Sequence, residues 1–167
     1  MVAEVRPREV LNDFVLKVFR LNGRLLDAAD RLTEGSGLTA ARWQVLGAVL
    51  REPLTVAAAA RSMGLARQSV QRLADALVQD GLCEYLPNPA HRRAKLIAPT
   101  ERGWQAIEQI RPGVVAWGRR ICGLVGEDTV RNASAAVDAL LLVLASPEGQ
   151  VNRPARSARL RDRRKRK

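Results

Sequence analysis

The polar residues best able to do chemistry lie in two short clusters. The first is Arg67, Gln68, Ser69, Gln71 and Arg72, broken only by Val70 and holding no carboxylate. The second, further along, is His91, Arg92, Arg93 and Lys95. Arg and Gln are the side chains that form paired hydrogen bonds with guanine and adenine edges in a DNA major groove. Adjacent arginines suit a narrow minor groove, where negative potential concentrates. Taken singly, each cluster could equally be a solvated charged face, so the elements that carry them decide.

Other chemistries find little material here. There are two cysteines, Cys83 and Cys122, and one histidine, His91. A disulfide framework, a zinc site or a Ser-His-Asp arrangement needs more than that. No group of His, Cys, Asp and Glu is spaced for catalysis, so no enzyme, cofactor or metal site is expected. Cys83 opens an extended segment and Cys122 lies in an apolar helix face, neither of which suits a thiol switch.

Charge sharpens the picture. The net charge is +11, but residues 153–167 carry nine Lys/Arg against Asp162 alone, a net +8. The rest of the chain is left with +3, so the basicity of the whole describes mainly a tail. The tail has almost no apolar residues and is expected to be disordered. It reads as an electrostatic arm for phosphates or as a solubilising end. Early acidic residues (Glu4, Glu9, Asp13) leave no signal peptide visible, and no apolar run reaches the roughly 18 residues of a membrane span. A cytoplasmic location without membrane contact is the expectation.

The positioning elements follow from periodicity. Leu11, Phe14, Val18, Leu21, Leu25, Ala28 and Leu32 are spaced as one face of a long helix that ends at Gly35-Ser36-Gly37. A second helix starts near Thr39 with Trp43, Leu46 and Leu50 on one face, and Glu52-Pro53 stops it. Thr55 is placed to cap the short helix Val56–Met63, which Gly64 breaks. The helix 66–79 turns Val70, Leu73 and Leu77 inward, which leaves the first polar cluster outward, and Gly81 suits its C-terminal end. Extended pieces 82–86 and 95–98 flank Pro87–Arg93 as a small hairpin.

Thr100-Glu101 opens a long helix through Ile107, Ile110, Val114, Trp117, Ile121 and Leu124, with a kink expected at Pro112-Gly113. A last helix runs over about 127–144, with Val130, Ala133, Val137, Leu140 and Leu144 on one face. The fold expected is mostly α with a small β-hairpin wing: a winged helix-turn-helix over about 55–100 between N- and C-terminal dimerisation helices, about 8–34 and 100–146. Residues 1–149 form this domain and 150–167 the basic tail. In the tight Met63-Gly64-Leu65 turn followed by a hairpin, the two polar clusters acquire a helix and a wing.

These segments resemble the MarR family of bacterial winged-helix regulators. The matching residues are Leu38-Thr39, Leu65 through Gly81-Leu82, Asn88 to Lys95, and Pro99-Thr100-Glu101-Arg102-Gly103. The likeness spans about residues 8–146 and is specific in the helix and wing. It implies a homodimer on a pseudo-palindromic operator in double-stranded DNA, ordinarily a repressor released by a small ligand or oxidant. By motif position, Arg67 to Arg72 map onto the major-groove helix and Arg92-Arg93 onto the wing tip. His91 stands where the family has aspartate, Ala66 lacks a capping side chain, and Pro99 replaces the usual leucine. A protonated His91 beside DNA would make binding pH-sensitive.

Three helices with apolar stripes exceed what one small core can bury. A two-fold interface through Leu11, Phe14, Val18, Trp117, Ile121, Val137, Leu140, Leu141 and Leu144 would use the surplus; an intramolecular bundle is the other arrangement. Half-sites would then lie roughly 34 Å apart. Relatives bind phenolic or other apolar acids, and Trp43, Trp104, Trp117 and Phe14 could line a crevice for a small aromatic or apolar ligand, or be plain core. The leading function is a sequence-specific transcriptional regulator. The alternatives are a non-specific nucleoid- or RNA-binding protein driven by the tail, and a protein-interaction module that has lost DNA binding.

Overall fold

The computed structural model describes residues 6–149. Its elements run α1 (Pro7–Leu32), α2 (Ala40–Ala48), β1 (Leu54–Thr55), α3 (Val56–Ser62), α4 (Arg67–Gln79), β2 (Cys83–Leu86), β3 (Leu96–Pro99), α5 (Glu101–Val125) and α6 (Glu127–Ala145), with a 3-10 turn at Pro147–Gly149. The protein is mostly helical with a small antiparallel sheet, a winged helix-turn-helix. The basic segment 153–167 lies outside the described residues.

Local chemistry explains most boundaries. Proline opens α1, where a missing N–H costs nothing. Thr39 caps α2 by accepting from the Arg42 amide at 3.3 Å, and Thr55 caps α3 by accepting from Ala58 at 3.1 Å. Asp30 of α1 reaches further and accepts from the Ala40 amide at 2.8 Å, which ties α1 to the start of α2. Helix α5 is continuous through Pro112-Gly113.

The sheet has order β1-β3-β2, one strand more than a hairpin. β1 is only two residues, Leu54↔Ile97 and Thr55↔Leu96, too short to show a period in the sequence. Its brevity also accommodates Pro99 on the central strand: the proline pairs with Cys83 and lies beyond the end of β1.

The core sits where α2, α3, α4, the sheet and the first turns of α5 meet, around Val45, Leu46, Val49, Ala59, Val70, Ala74, Leu77 and Ile97. In α4 the fully buried row is Val70, Ala74 and Leu77, and Leu73, half-buried, packs against the same core. Backbone contacts divide the chain into two units, Met1–Trp117 and Gly118–Lys167. Within the first unit α1 buries none of its residues, and in the second α6 buries none.

Candidate nucleic-acid interface

The turn between α3 and α4 is built to be tight. Gly64 adopts φ +63°, which lets Leu65 N–H reach back to Ala60 O at 2.9 Å and Gly64 N–H to Arg61 O at 3.2 Å. Ala66 then begins α4 without a side-chain cap. Its carbonyl accepts from Ser69 and Val70, and the amides of Arg67 and Gln68, at the start of the helix, find no acceptor among the described residues. The far end of α4 closes with the same double bond, Leu82 N–H to Leu77 O and Gly81 N–H to Val78 O.

Arg67, Gln68 and Arg72 are exposed as expected. Ser69 and Gln71 are half-buried. Gln71 is engaged: its Nε2 donates to Asp75 Oδ1 at 2.9 Å and to Tyr85 Oη at 2.8 Å, and Tyr85 Oη donates to Asp75 Oδ1 at 2.6 Å. Burial, with the hydrogen bond and charge of Asp75 adding, pushes the Tyr85 hydroxyl up to about 12. Asp75 and Tyr85 are the residues that sequence reading missed as neighbours of the site. One is on a helix and the other on a strand, and no spacing joins them.

The wing follows β2 directly. Asn88 shapes its base: its side chain accepts from the Ala90 amide at 3.0 Å and its carbonyl from the His91 amide at 3.2 Å. His91, Arg92, Arg93 and Lys95 are all exposed, and none of them, nor Arg67 or Arg72, forms an ion pair among the described residues. Lys95 Nζ sits over the Tyr85 ring, 5.9 Å from its centroid. Wing and α4 thus face each other across a cleft of about 280 Å³ lined by Thr55, Arg67, Gln71, Tyr85, Arg93 and Lys95. Three cations around an open cleft, with no carboxylate lining it, make a surface for a polyanion.

The family model for the MarR family matches residues 36–94, the span from before α2 to the wing. An uncharacterised protein of Mycobacterium tuberculosis is 39% identical over 111 residues, covering 66% of this chain and 78% of that protein. The structure of CouR from Rhodococcus jostii bound to p-coumaroyl-CoA superposes with a TM-score of 0.68 at 25% identity, over 77% of this chain and 91% of that one. The chain belongs to the MarR family. A mutant MarR from E. coli complexed with operator DNA shares the fold, with a TM-score of 0.70 at 20% identity, over 81% of this chain and 99% of that one. Members of the MarR family are DNA-binding transcriptional regulators and not enzymes, which places this chain in transcription regulation.

Leu11, Val18, Ile121, Val137, Leu141 and Leu144 are exposed, and Phe14, Trp117 and Leu140 half-buried. A second cavity of about 360 Å³ is lined by Leu25, Ala29, Leu32, Trp43, Gln44, Gly47 and Trp117. Trp43 and Trp117 meet there; Trp104 and Phe14 are not among its lining residues. No helix among the described residues is long and apolar enough to cross a membrane.

Proposed function

We propose that this regulator is a homodimeric repressor that reads a pseudo-palindromic operator and is released by a small aromatic or apolar ligand. The observation that carries the reading is the uncapped, carboxylate-free start of α4 lying across a cationic cleft from the wing. On this reading Arg67, Gln68, Ser69, Gln71 and Arg72 enter the major groove, with a phosphate on the free amides of Arg67 and Gln68. Arg92 and Arg93 reach the flanking minor groove, while His91 and Lys95 contact backbone phosphates.

The apolar side chains that α1, the C-terminal part of α5 and α6 leave open supply the dimer surface. Residues 1–149 act as one winged-helix domain, and the tail 150–167 adds affinity for phosphates without reading sequence. The cavity between α1 and α2 takes the ligand: its volume and paired tryptophans suit an aromatic acid, and CouR, 25% identical, is a protein found with p-coumaroyl-CoA. A ligand wedged there bears on α2, which packs on α4 in the core, and so on the spacing of the two reading helices.

The test is selection of bound sequences from a random DNA pool at about 150 mM salt. An inverted repeat with half-sites about ten base pairs apart is expected. A pool without any enriched motif, and binding that disappears on modest added salt, would make the tail the binder and end the operator reading. A promoter fusion carrying the selected site should be silenced by the protein; activation would reverse the sign of regulation. Quenching of tryptophan fluorescence by p-coumarate, lost in a Trp43→Leu variant, tests the ligand site.

A further inference from the structure

We infer that Leu65 packs on the C5-methyl group of a thymine, so that each operator half-site carries a thymine where the start of α4 meets the bases. The inference rests on α4 being the operator-reading helix, as proposed above, and adds an apolar reader to its polar cluster. Leu65 is 41% exposed. Among the described residues, every other large apolar side chain left exposed lies on α1, α5 or α6. From α2 to β3 Leu65 stands alone. A single exposed leucine is ordinary on a protein surface, so its position has to carry the inference.

The backbone fixes that position. Gly64, at φ +63°, follows the end of α3, and Leu65 N–H reaches back to Ala60 O at 2.9 Å. Leu65 therefore stands immediately before Ala66, the N-cap residue of α4. An apolar residue there can staple onto the fourth residue of the helix, here Val70. Val70 is fully buried in the core cluster, and Leu65 stays outside that cluster. Ala66 is exposed too and makes no side-chain hydrogen bond. The step into α4 is thus an exposed apolar pair directly ahead of the exposed Arg67 and Gln68.

Neither side chain of that pair can bond a phosphate. The floor of the major groove offers donors, acceptors and one apolar group, the thymine methyl. Arg67 and Gln68 suit the first two, and Leu65 suits the third. Seating the methyl against leucine takes apolar surface of both partners out of water. Cytosine lacks the methyl and gains nothing from the contact, whereas 5-methylcytosine presents the same group in the same place. Leu65 therefore separates thymine from cytosine and makes that position sensitive to cytosine methylation.

The test starts from sites selected out of the random pool by full-length wild type, Leu65→Ala and Leu65→Gln, each variant first checked for a wild-type melting profile. Each thymine of the selected half-site is then replaced in turn by deoxyuridine, which removes the methyl alone. One thymine per half-site should lose about fourfold in wild-type affinity, the burial of one methyl group. At that position 5-methylcytosine should be bound better than cytosine by a similar factor. Leu65→Ala should bind thymine and uracil there equally and keep the rest of the motif. Leu65→Gln, of similar length and polar at its end, should do the same and serves if Leu65→Ala fails to fold. A wild type indifferent to every uracil substitution overturns the inference, and so does a methyl effect that survives in both variants. The absence of any motif in every arm would instead overturn the operator reading itself.

Discussion

Gly103→Ala sets two physical effects against each other, and the structure says which wins. Gly103 lies in the first turn of α5, where alanine ordinarily stabilises a helix by about 1 kcal/mol over glycine. A Cβ at Gly103, however, would stand 2.1 Å from the carbonyl oxygen of Leu82 and 3.2 Å from its carbon. Ordinary contact begins near 3.4 Å, so the two backbones would have to part by about 1.3 Å. Neither partner is a flexible side-chain end. The same Leu82 oxygen accepts from the Thr100 amide at 3.1 Å, and parting the backbones strains that bond.

Overpacking of this kind costs about 1–3 kcal/mol and a lost hydrogen bond about 1 more. Against the helix gain, the net is a destabilisation of about 1–3 kcal/mol. For a chain of this length, about 2 kcal/mol corresponds to a fall in Tm of roughly 4–8 °C. The assay is thermal melting at fixed protein concentration, since a dimer makes Tm depend on it. Gly47→Ala in α2 is the control: a Cβ there meets nothing within 4 Å, so the melt should stay level or rise. If Gly103→Ala melts at or above wild type, α5 does not approach the Leu82 carbonyl this closely.

Arg72→Ala should cost about 1–3 kcal/mol on the selected operator and relax preference at one position. Arg93→Ala should weaken selected and scrambled sites alike and shallow the salt dependence; equal losses on all sites for both variants would deny base reading by α4. Cys83 is buried and its thiol is pushed up to about 11, so at pH 8 thiol reagents should modify Cys122 first and reach Cys83 only on unfolding. Cys83 and Tyr85 both ionise later in the folded chain than in the unfolded one. Their contribution is therefore complete at neutral pH and is lost as pH climbs from about 9 towards 12, which an alkaline melt of wild type against Tyr85→Phe would show.

What was legible in the sequence is what depends on period and local chemistry. The apolar rows of α1, α5 and α6, the caps at Thr39 and Thr55 and the glycines after α3 and α4 are one-dimensional signals, and all of these elements formed where they point. β1 was not legible, because two residues carry no alternation and their pairing with Leu96 and Ile97 is a tertiary event. The inward row of α4 was legible in Val70, Leu73 and Leu77, all of which meet the core, but Ala74, which is fully buried beside them, was not. An alanine is a weak hydrophobic signal, so its place in the core shows only in three dimensions. The polar cluster was legible as a list of types and not as a set of free groups. Nothing in the order Gln71, Asp75, Tyr85 announces that a strand residue will hydrogen-bond the side-chain amide of a helix residue.

The end of α4, the start of β2 and the start of α5 are fastened at one place, and this decides how the molecule can respond. Thr100 Oγ1 donates to Gly81 O at 2.7 Å and accepts from the Gly103 amide at 3.1 Å, while Thr100 N–H donates to Leu82 O at 3.1 Å. One threonine thus caps α5 and grips Gly81 and Leu82, in the link between α4 and β2. With Gly103 pressed on Leu82, the junction leaves no room for slip. A displacement of the first turns of α5 must therefore carry the C-terminal end of α4 with it. The N-terminal end of α4 has no such fastening: it is uncapped, and it is held by the core contacts of Val70 and by the Gln71 network to the wing. If α4 reads operator DNA and a ligand releases it, as proposed above, the release would be a tilt of α4 about its Thr100 end, which moves Arg67 to Arg72 furthest.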